Sequence, residues 1–171
     1  GAIVVSLACA LRKESGEEGL SRGMFIGLDC SFAALKVAKS NALAHGLEDH
    51  ISFAVSDVLS AVRVKPERHG AVLIVSNPPY ISDSEELSFQ ISGFEPKCAL
   101  GAGEKGLDVI ERLIREAAPI LRQKGPLGAL VMEIGAGQDS EVRCIAQREE
   151  LTTINYIQDL RGVKRVVEVG K

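Results

Sequence analysis

The stretch Ala71-Val72-Leu73-Ile74-Val75-Ser76-Asn77-Pro78-Pro79-Tyr80 decides how this chain is read. Its apolar half, bounded by turn-forming residues, has the length and branching of a buried strand. Its polar half makes a rigid exit from that strand. Proline fixes its own φ and restricts the residue before it, so Asn77 is biased to extended backbone and the following carbonyls are held in place. The Asn77 carboxamide oxygen can accept one hydrogen of a planar NH2 group, the Pro78 carbonyl can accept the other, and the Tyr80 ring offers a flat wall. The same residue types also make an ordinary strand exit, so taken alone the stretch supports both readings.

Working outward, apolar runs alternate with longer amphipathic segments, as in strand-helix repeats. Ala2 to Arg12 is expected to be a helix and Lys13 to Gly23 a polar loop, with Met24 to Leu28 a strand ending at Asp29. Ser31 is placed to cap a helix running to Gly46, and Ile51 to Val55 returns as a strand ending near Asp57. Beyond Tyr80, Ser82 to Glu104 reads as an irregular segment, Leu107 to Leu121 as a helix and Gly128 to Ile134 as a strand. Ser140 to Glu149 reads as a helix, and Thr152 to Gln158 with Arg165 to Val169 as two closing antiparallel strands. The implied fold is α/β: one open sheet with helices on both faces and a carboxy-terminal hairpin. In such sheets ligands sit beyond the carboxyl ends of the strands, where Asp29, Asp57 and Asn77 would all lie.

Composition narrows the classes. With 171 residues and 46% hydrophobic content the chain can fill one core, and nothing marks a second domain. Twenty Lys and Arg against 23 Asp and Glu give a formal charge of -3, which argues against nonspecific grasp of nucleic acid. No apolar stretch reads as a membrane span, and the opening Gly1-Ala2-Ile3-Val4-Val5 lacks a basic leader. Cys9, Cys30, Cys98 and Cys144 lack metal-ligand spacing and read as reduced thiols of a cytosol or an organelle matrix, mitochondrial or chloroplast. His45, His50 and His69 form no triad or ligand cluster by spacing.

The Asn77-Pro78-Pro79-Tyr80 motif resembles the catalytic signature of S-adenosylmethionine-dependent methyltransferases that modify amide or exocyclic amino nitrogens. Within them, the chain is most similar to the release factor glutamine methyltransferases. That resemblance rests further on Ile81-Ser82-Asp83, Gly93-Phe94-Glu95-Pro96, Ala99-Leu100 and Gly106-Leu107-Asp108. It implies a Rossmann-like class I methyltransferase sheet, S-adenosyl-L-methionine as cofactor, a peptide chain release factor as protein substrate, and no metal.

The resemblance also implies roles for individual residues. Asn77, Pro78 and Tyr80 would be catalytic; Asn77, Pro78, Pro79, Tyr80 and Glu95 would bind the substrate amide, Glu95 being otherwise a surface turn. Asp29 would accept the ribose hydroxyls or else cap the next helix. Asp57 would face the adenine edge with the Val58 amide beside it, or else hold a turn. Cys30 and Phe32 would line the adenosine pocket, unless Phe32 is core; Gly1 and Asn77 would complete the cofactor contacts. Glu133 reads either as an aid to the amide site or as a structural anchor. Gly1-Ala2-Ile3 matches only the last glycine of the family's cofactor loop, and the strand before that loop and the family's helical amino-terminal domain have no counterpart here. Residues 1-171 are therefore expected to be a partial methyltransferase domain. Methylation of adenine N6 or of a protein lysine, and an inactive protein-binding fragment, are the competing readings.

Overall fold

The computed structural model describes residues 1–64, 70–81 and 106–171. The expected irregular segment from Ser82 to Glu104, Glu95 within it, Cys98 and His69 lie outside the described residues. The chain divides into two compact units, Gly1–Arg63 and Val64–Lys171.

The first unit contains α1 (Ala2–Ser21), β1 (Phe25–Asp29), α2 (Phe32–Ala44) and β2 (Ile51–Val55). The polar stretch expected as a loop from Lys13 is helical as far as Ser21, interrupted only at Gly16, whose φ of 66° and ψ of -168° break the helix. Glu14, Glu17 and Glu18 are good helix formers, Glu18 pairs with Arg22 one turn on, and the segment buries Leu20, which is 1% exposed. The apolar partner of Leu20 lies elsewhere in the chain, which is why polarity alone misleads here. Ser31 caps α2 as expected, its Oγ accepting the Ala34 amide at 3.2 Å. At the other end Gly46, at φ 63°, turns the chain, while the Leu47 amide donates to the Ala42 carbonyl and the Gly46 amide to that of Leu43. This Schellman closure brings Leu47 into a core with Val5, Ala8, Leu20, Ala42 and Ile51.

β1 and β2 pair in parallel with Gly27 opposite Phe53. A Cβ on Gly27 would stand 2.7 Å from the Phe53 ring, so the aromatic covers the bare backbone across the ladder.

The second unit contains β3 (Val72–Ser76), α3 (Asp108–Lys124), β4 (Gly128–Glu133), α4 (Asp139–Arg148), β5 (Thr153–Gln158) and β6 (Lys164–Gly170). Helix α3 buries Ile110, Leu113, Ile114, Ala117, Ala118 and Leu121, the stripe expected of one helical face. It continues past Leu121 to Lys124 despite Pro119, and Arg122 and Lys124 in its last turn complement the helix dipole. The sheet order is β3-β4-β6-β5: β3 and β4 are parallel, and β6 is antiparallel to both β4 and β5. The hairpin between β5 and β6 turns on Asp159, whose Oδ1 accepts the amides of Arg161 at 2.8 Å and Val163 at 3.0 Å.

Each unit carries its own ladder, the parallel β1-β2 pair in the first and the four-stranded sheet in the second. Among the described residues no helix is long and apolar enough to cross a membrane.

Candidate active site

In the second unit, topology explains why the motif meets three distant segments. β3 and β4 are parallel, so both run toward the same edge, with Ser76 opposite Met132. β6 runs the other way, so its beginning lies at that edge, where the Ile134 amide donates to the Arg165 carbonyl at 2.9 Å. Tyr80, Glu133 and Arg165 thus come from the exits of two strands and the entrance of a third.

Within the motif, Asn77 is exposed, Pro78 is buried, and Pro79 and Tyr80 are half-buried. No hydrogen bond ties the Asn77 carboxamide to another described residue, so its oxygen can accept from a ligand. The Tyr80 side chain is held. Its hydroxyl donates to Glu133 Oε1 at 2.8 Å and accepts from Arg165 Nη2 at 3.2 Å, and the same Arg165 nitrogen stands 3.5 Å from that carboxylate. The Arg165 guanidinium lies 5.3 Å from the ring centre. Burial pushes the Tyr80 phenol above its ordinary ionisation range and the Glu133 carboxylate pushes it further, while Arg165 pulls back. The phenol is neutral at physiological pH.

The Tyr80 main chain is held as well. Gln138 Nε2 donates to the Tyr80 carbonyl at 3.0 Å and to the Gly106 carbonyl at 3.2 Å, while its Oε1 accepts the Gly135 amide at 2.8 Å. Gly106, at φ 69°, passes so near that an added Cβ would stand 2.3 Å from the Tyr80 oxygen. Glycine there is a requirement of the close approach.

In the first unit, Asp29 and Asp57 follow neighbouring parallel strands, and the Ser56 amide donates to the Asp29 carbonyl at 3.0 Å. Asp29 Oδ1 accepts the Ser31 amide at 2.8 Å, so the helix cap weighed for Asp29 falls to Ser31 instead, and the carboxylate keeps acceptor capacity beyond that bond. Asp57 is exposed. Val58 has φ 52°, unusual for a β-branched residue. Buried Ser56 stabilises that turn: its hydroxyl donates to the Val58 carbonyl at 2.9 Å and accepts the Ala61 amide at 3.2 Å. Cys30 is an exposed free thiol, and Phe32, 64% exposed with Lys36 Nζ 4.9 Å from its ring centre, is not core. Gly1 precedes α1, and a Cβ on it would stand 2.1 Å from that of Ala38.

Asp29 and Asp57 lie at the carboxyl ends of neighbouring parallel strands, the position where open α/β sheets take ligands. Among the described residues no group of three or more His, Cys, Asp or Glu could hold a metal ion. Ser56 and Gln138 were not foreseen as site-building residues. No local pattern names the partners of Gln138.

Sequence comparison supplies the family. The chain is 38% identical over 167 residues to a release factor glutamine methyltransferase of Koribacter versatilis, matching 96% of this chain and 54% of that protein. A protein of the same name from Xylella fastidiosa is 37% identical, matching 100% of this chain and 56% of its own length. Over nearly its whole length, the chain is similar to release factor glutamine methyltransferases. It spans about half the length of these curated relatives. No protein-family model matches it.

The fold is shared more widely than that family. The human METTL16 catalytic domain, solved in complex with the MAT2A 3'UTR hairpin 1, superposes with a TM-score of 0.61 at 12% identity, covering 89% of this chain and 57% of that one. The amino-terminal domain of human METTL16 in complex with SAH gives 0.55 at 14% identity, over 86% of this chain and 52% of that one. The architecture is therefore the Rossmann-like methyltransferase fold that the family resemblance implied.

Proposed function

We propose that residues 1-171 form part of an S-adenosyl-L-methionine-dependent methyltransferase domain that methylates a glutamine side-chain amide in a peptide chain release factor. One observation carries the reading: the exposed Asn77 carboxamide stands at the end of β3, between a buried Pro78 and a Tyr80 whose hydroxyl and carbonyl are both engaged. The names of its relatives favour glutamine over adenine or lysine as the acceptor. The spacing of the cysteines favours the cytoplasm or an organelle matrix.

Asp29 would hold the ribose of the cofactor and Asp57 with the Val58 amide its adenine; Gly1 and Cys30 would flank it. When bound, the cofactor supplies an electrophilic methyl on a sulfonium centre. The rest is the work of this chain. A free amide nitrogen is a poor nucleophile because its lone pair is delocalised into the carbonyl. Asn77 Oδ1 and the Pro78 carbonyl accept the two amide hydrogens, orienting the nitrogen and stabilising positive charge as it develops there; as the nitrogen gains the methyl it gives up one of those protons to solvent, leaving a neutral N-methyl amide. Tyr80 and Pro79 bound the flat group, and Glu95 would complete the wall.

The test is a methyl-transfer assay on an intact release factor, read by peptide mass spectrometry. Methyl on a glutamine amide supports the proposal. Methyl on lysine, or on adenine in a parallel nucleic-acid assay, redirects it. Saturable binding of S-adenosylhomocysteine by calorimetry separates loss of the cofactor site from loss of the acceptor.

A further inference from the structure

We propose that Glu133, Arg165 and Gln138 are positioning residues that fix Tyr80 at both ends and occupy its hydroxyl, so that Tyr80 presents only its ring to the acceptor amide. This rests on the reading of Asn77-Pro78-Pro79-Tyr80 as the acceptor site. A phenol has one hydrogen to donate and lone pairs to accept with. Here the hydrogen goes to Glu133 and Arg165 donates into a lone pair, at 2.8 and 3.2 Å. A substrate acceptor could take this hydroxyl's hydrogen only by displacing Glu133, and a substrate donor would compete with the Arg165 guanidinium for the same oxygen, whereas the ring needs no displacement to serve as a wall.

The carbonyl end is fixed independently. Gln138 uses both atoms of its amide to tie Tyr80, Gly106 and Gly135 together, so the exit of β3, the approach to α3 and the turn after β4 share one side chain. Tyr80 is separated by 53 residues from Glu133, 85 from Arg165 and 58 from Gln138. Each partner therefore restricts the ring only when the whole sheet is assembled. Among the described residues Asn77, which needs an unoccupied acceptor, has none of these ties.

Two measurements test the clamp. Tyr80 and Tyr156 are the two tyrosines and the chain has no tryptophan, so a Tyr156→Phe background leaves a single phenol whose ionisation can be followed by ultraviolet absorbance. Glu133→Gln should then lower the ionisation pH of Tyr80, and Arg165→Met should raise it or leave the phenol un-ionised while the fold persists by circular dichroism. General loosening would expose the phenol and move both variants in the same direction, toward the ordinary value of about 10. Shifts of the same sign, or none, overturn the clamp.

The second measurement is kinetic. Tyr80→Phe keeps the ring but removes the tied hydroxyl, and is expected to lower kcat roughly 10- to 100-fold, with a smaller change in KM. Glu133→Gln should add little to that loss in the double variant, because both changes break one contact. Multiplying losses would show that Glu133 acts elsewhere and would overturn its positioning role. A chain that transfers no methyl but shows the opposite titration shifts overturns the proposed reaction and leaves the clamp standing.

Discussion

Gly106→Ala is the sharpest single test of how the motif is held. Gly106 lies at φ 69°, and Gly137, in the turn after β4, at φ 82°. A left-handed backbone costs a residue with a Cβ about 1–2 kcal/mol at either position. The surroundings separate them. A Cβ at Gly137 meets nothing within 4 Å, whereas at Gly106 it would stand 2.3 Å from the Tyr80 oxygen, 3.0 Å from its carbonyl carbon and 3.1 Å from Gln138 Nε2. Non-bonded heavy atoms settle about 3.5 Å apart, so the Tyr80 backbone would have to retreat by about 1 Å. That retreat strains a packed region, at about 1–3 kcal/mol, and breaks a Gln138 hydrogen bond worth about 1 kcal/mol net. The expected losses are about 1–2 kcal/mol for Gly137→Ala and about 3–6 kcal/mol for Gly106→Ala. Urea unfolding followed by circular dichroism measures both. Where Gly106→Ala still folds, methyl transfer should fall while S-adenosylhomocysteine affinity holds, since Asp29 and Asp57 belong to the other unit. Equal destabilisation by the two alanines would refute the argument that close approach to Tyr80 is what requires glycine.

Three further outcomes are expected. Asn77→Ala should reduce methyl transfer about 100-fold or more, as loss of an oriented transition-state partner does, with cofactor affinity within a few-fold of the parent; parallel loss of both by calorimetry and mass spectrometry would remove its acceptor role. Gly27→Ala should destabilise the chain by about 1–3 kcal/mol in denaturant unfolding, because the new methyl meets the Phe53 ring rather than open space. The hydrogen bond from Lys164 holds the Asp139 carboxyl below its ordinary range. The sign follows from linkage: the stabilisation is present above the unfolded-state pKa and is lost as pH falls through the lower, folded-state value. Lys164→Ala should move the Asp139 carboxyl titration upward in a carbon-detected NMR experiment, and an unmoved titration would show that the contact does not set it.

Much of the local structure was legible because its causes lie within a few residues. The buried stripe of α3, the Ser31 cap and the antiparallel pairing of β5 with β6 all rest on short-range periodicity, capping or hairpin chemistry. The motif at the end of β3 could be read for the same reason, since proline acts on its neighbours in the chain. Reading failed where a distant partner decided. Lys13 to Gly23 reads as a polar loop, yet it is helical to Ser21 because Leu20 reaches a core, and Phe32 is exposed rather than core.

By itself, then, the sequence determined the elements, the Asn77-Pro78-Pro79-Tyr80 exit and the family to which the chain is related. Only the tertiary structure decided what that exit is attached to: a hydroxyl occupied by Glu133 and Arg165, a carbonyl held by Gln138, and a Gly106 backbone too close for any side chain. The physical reason is range. Dihedral preferences and caps act over a few residues, whereas each of these contacts exists only once parallel β3 and β4 and antiparallel β6 bring remote ends of the chain to one sheet edge.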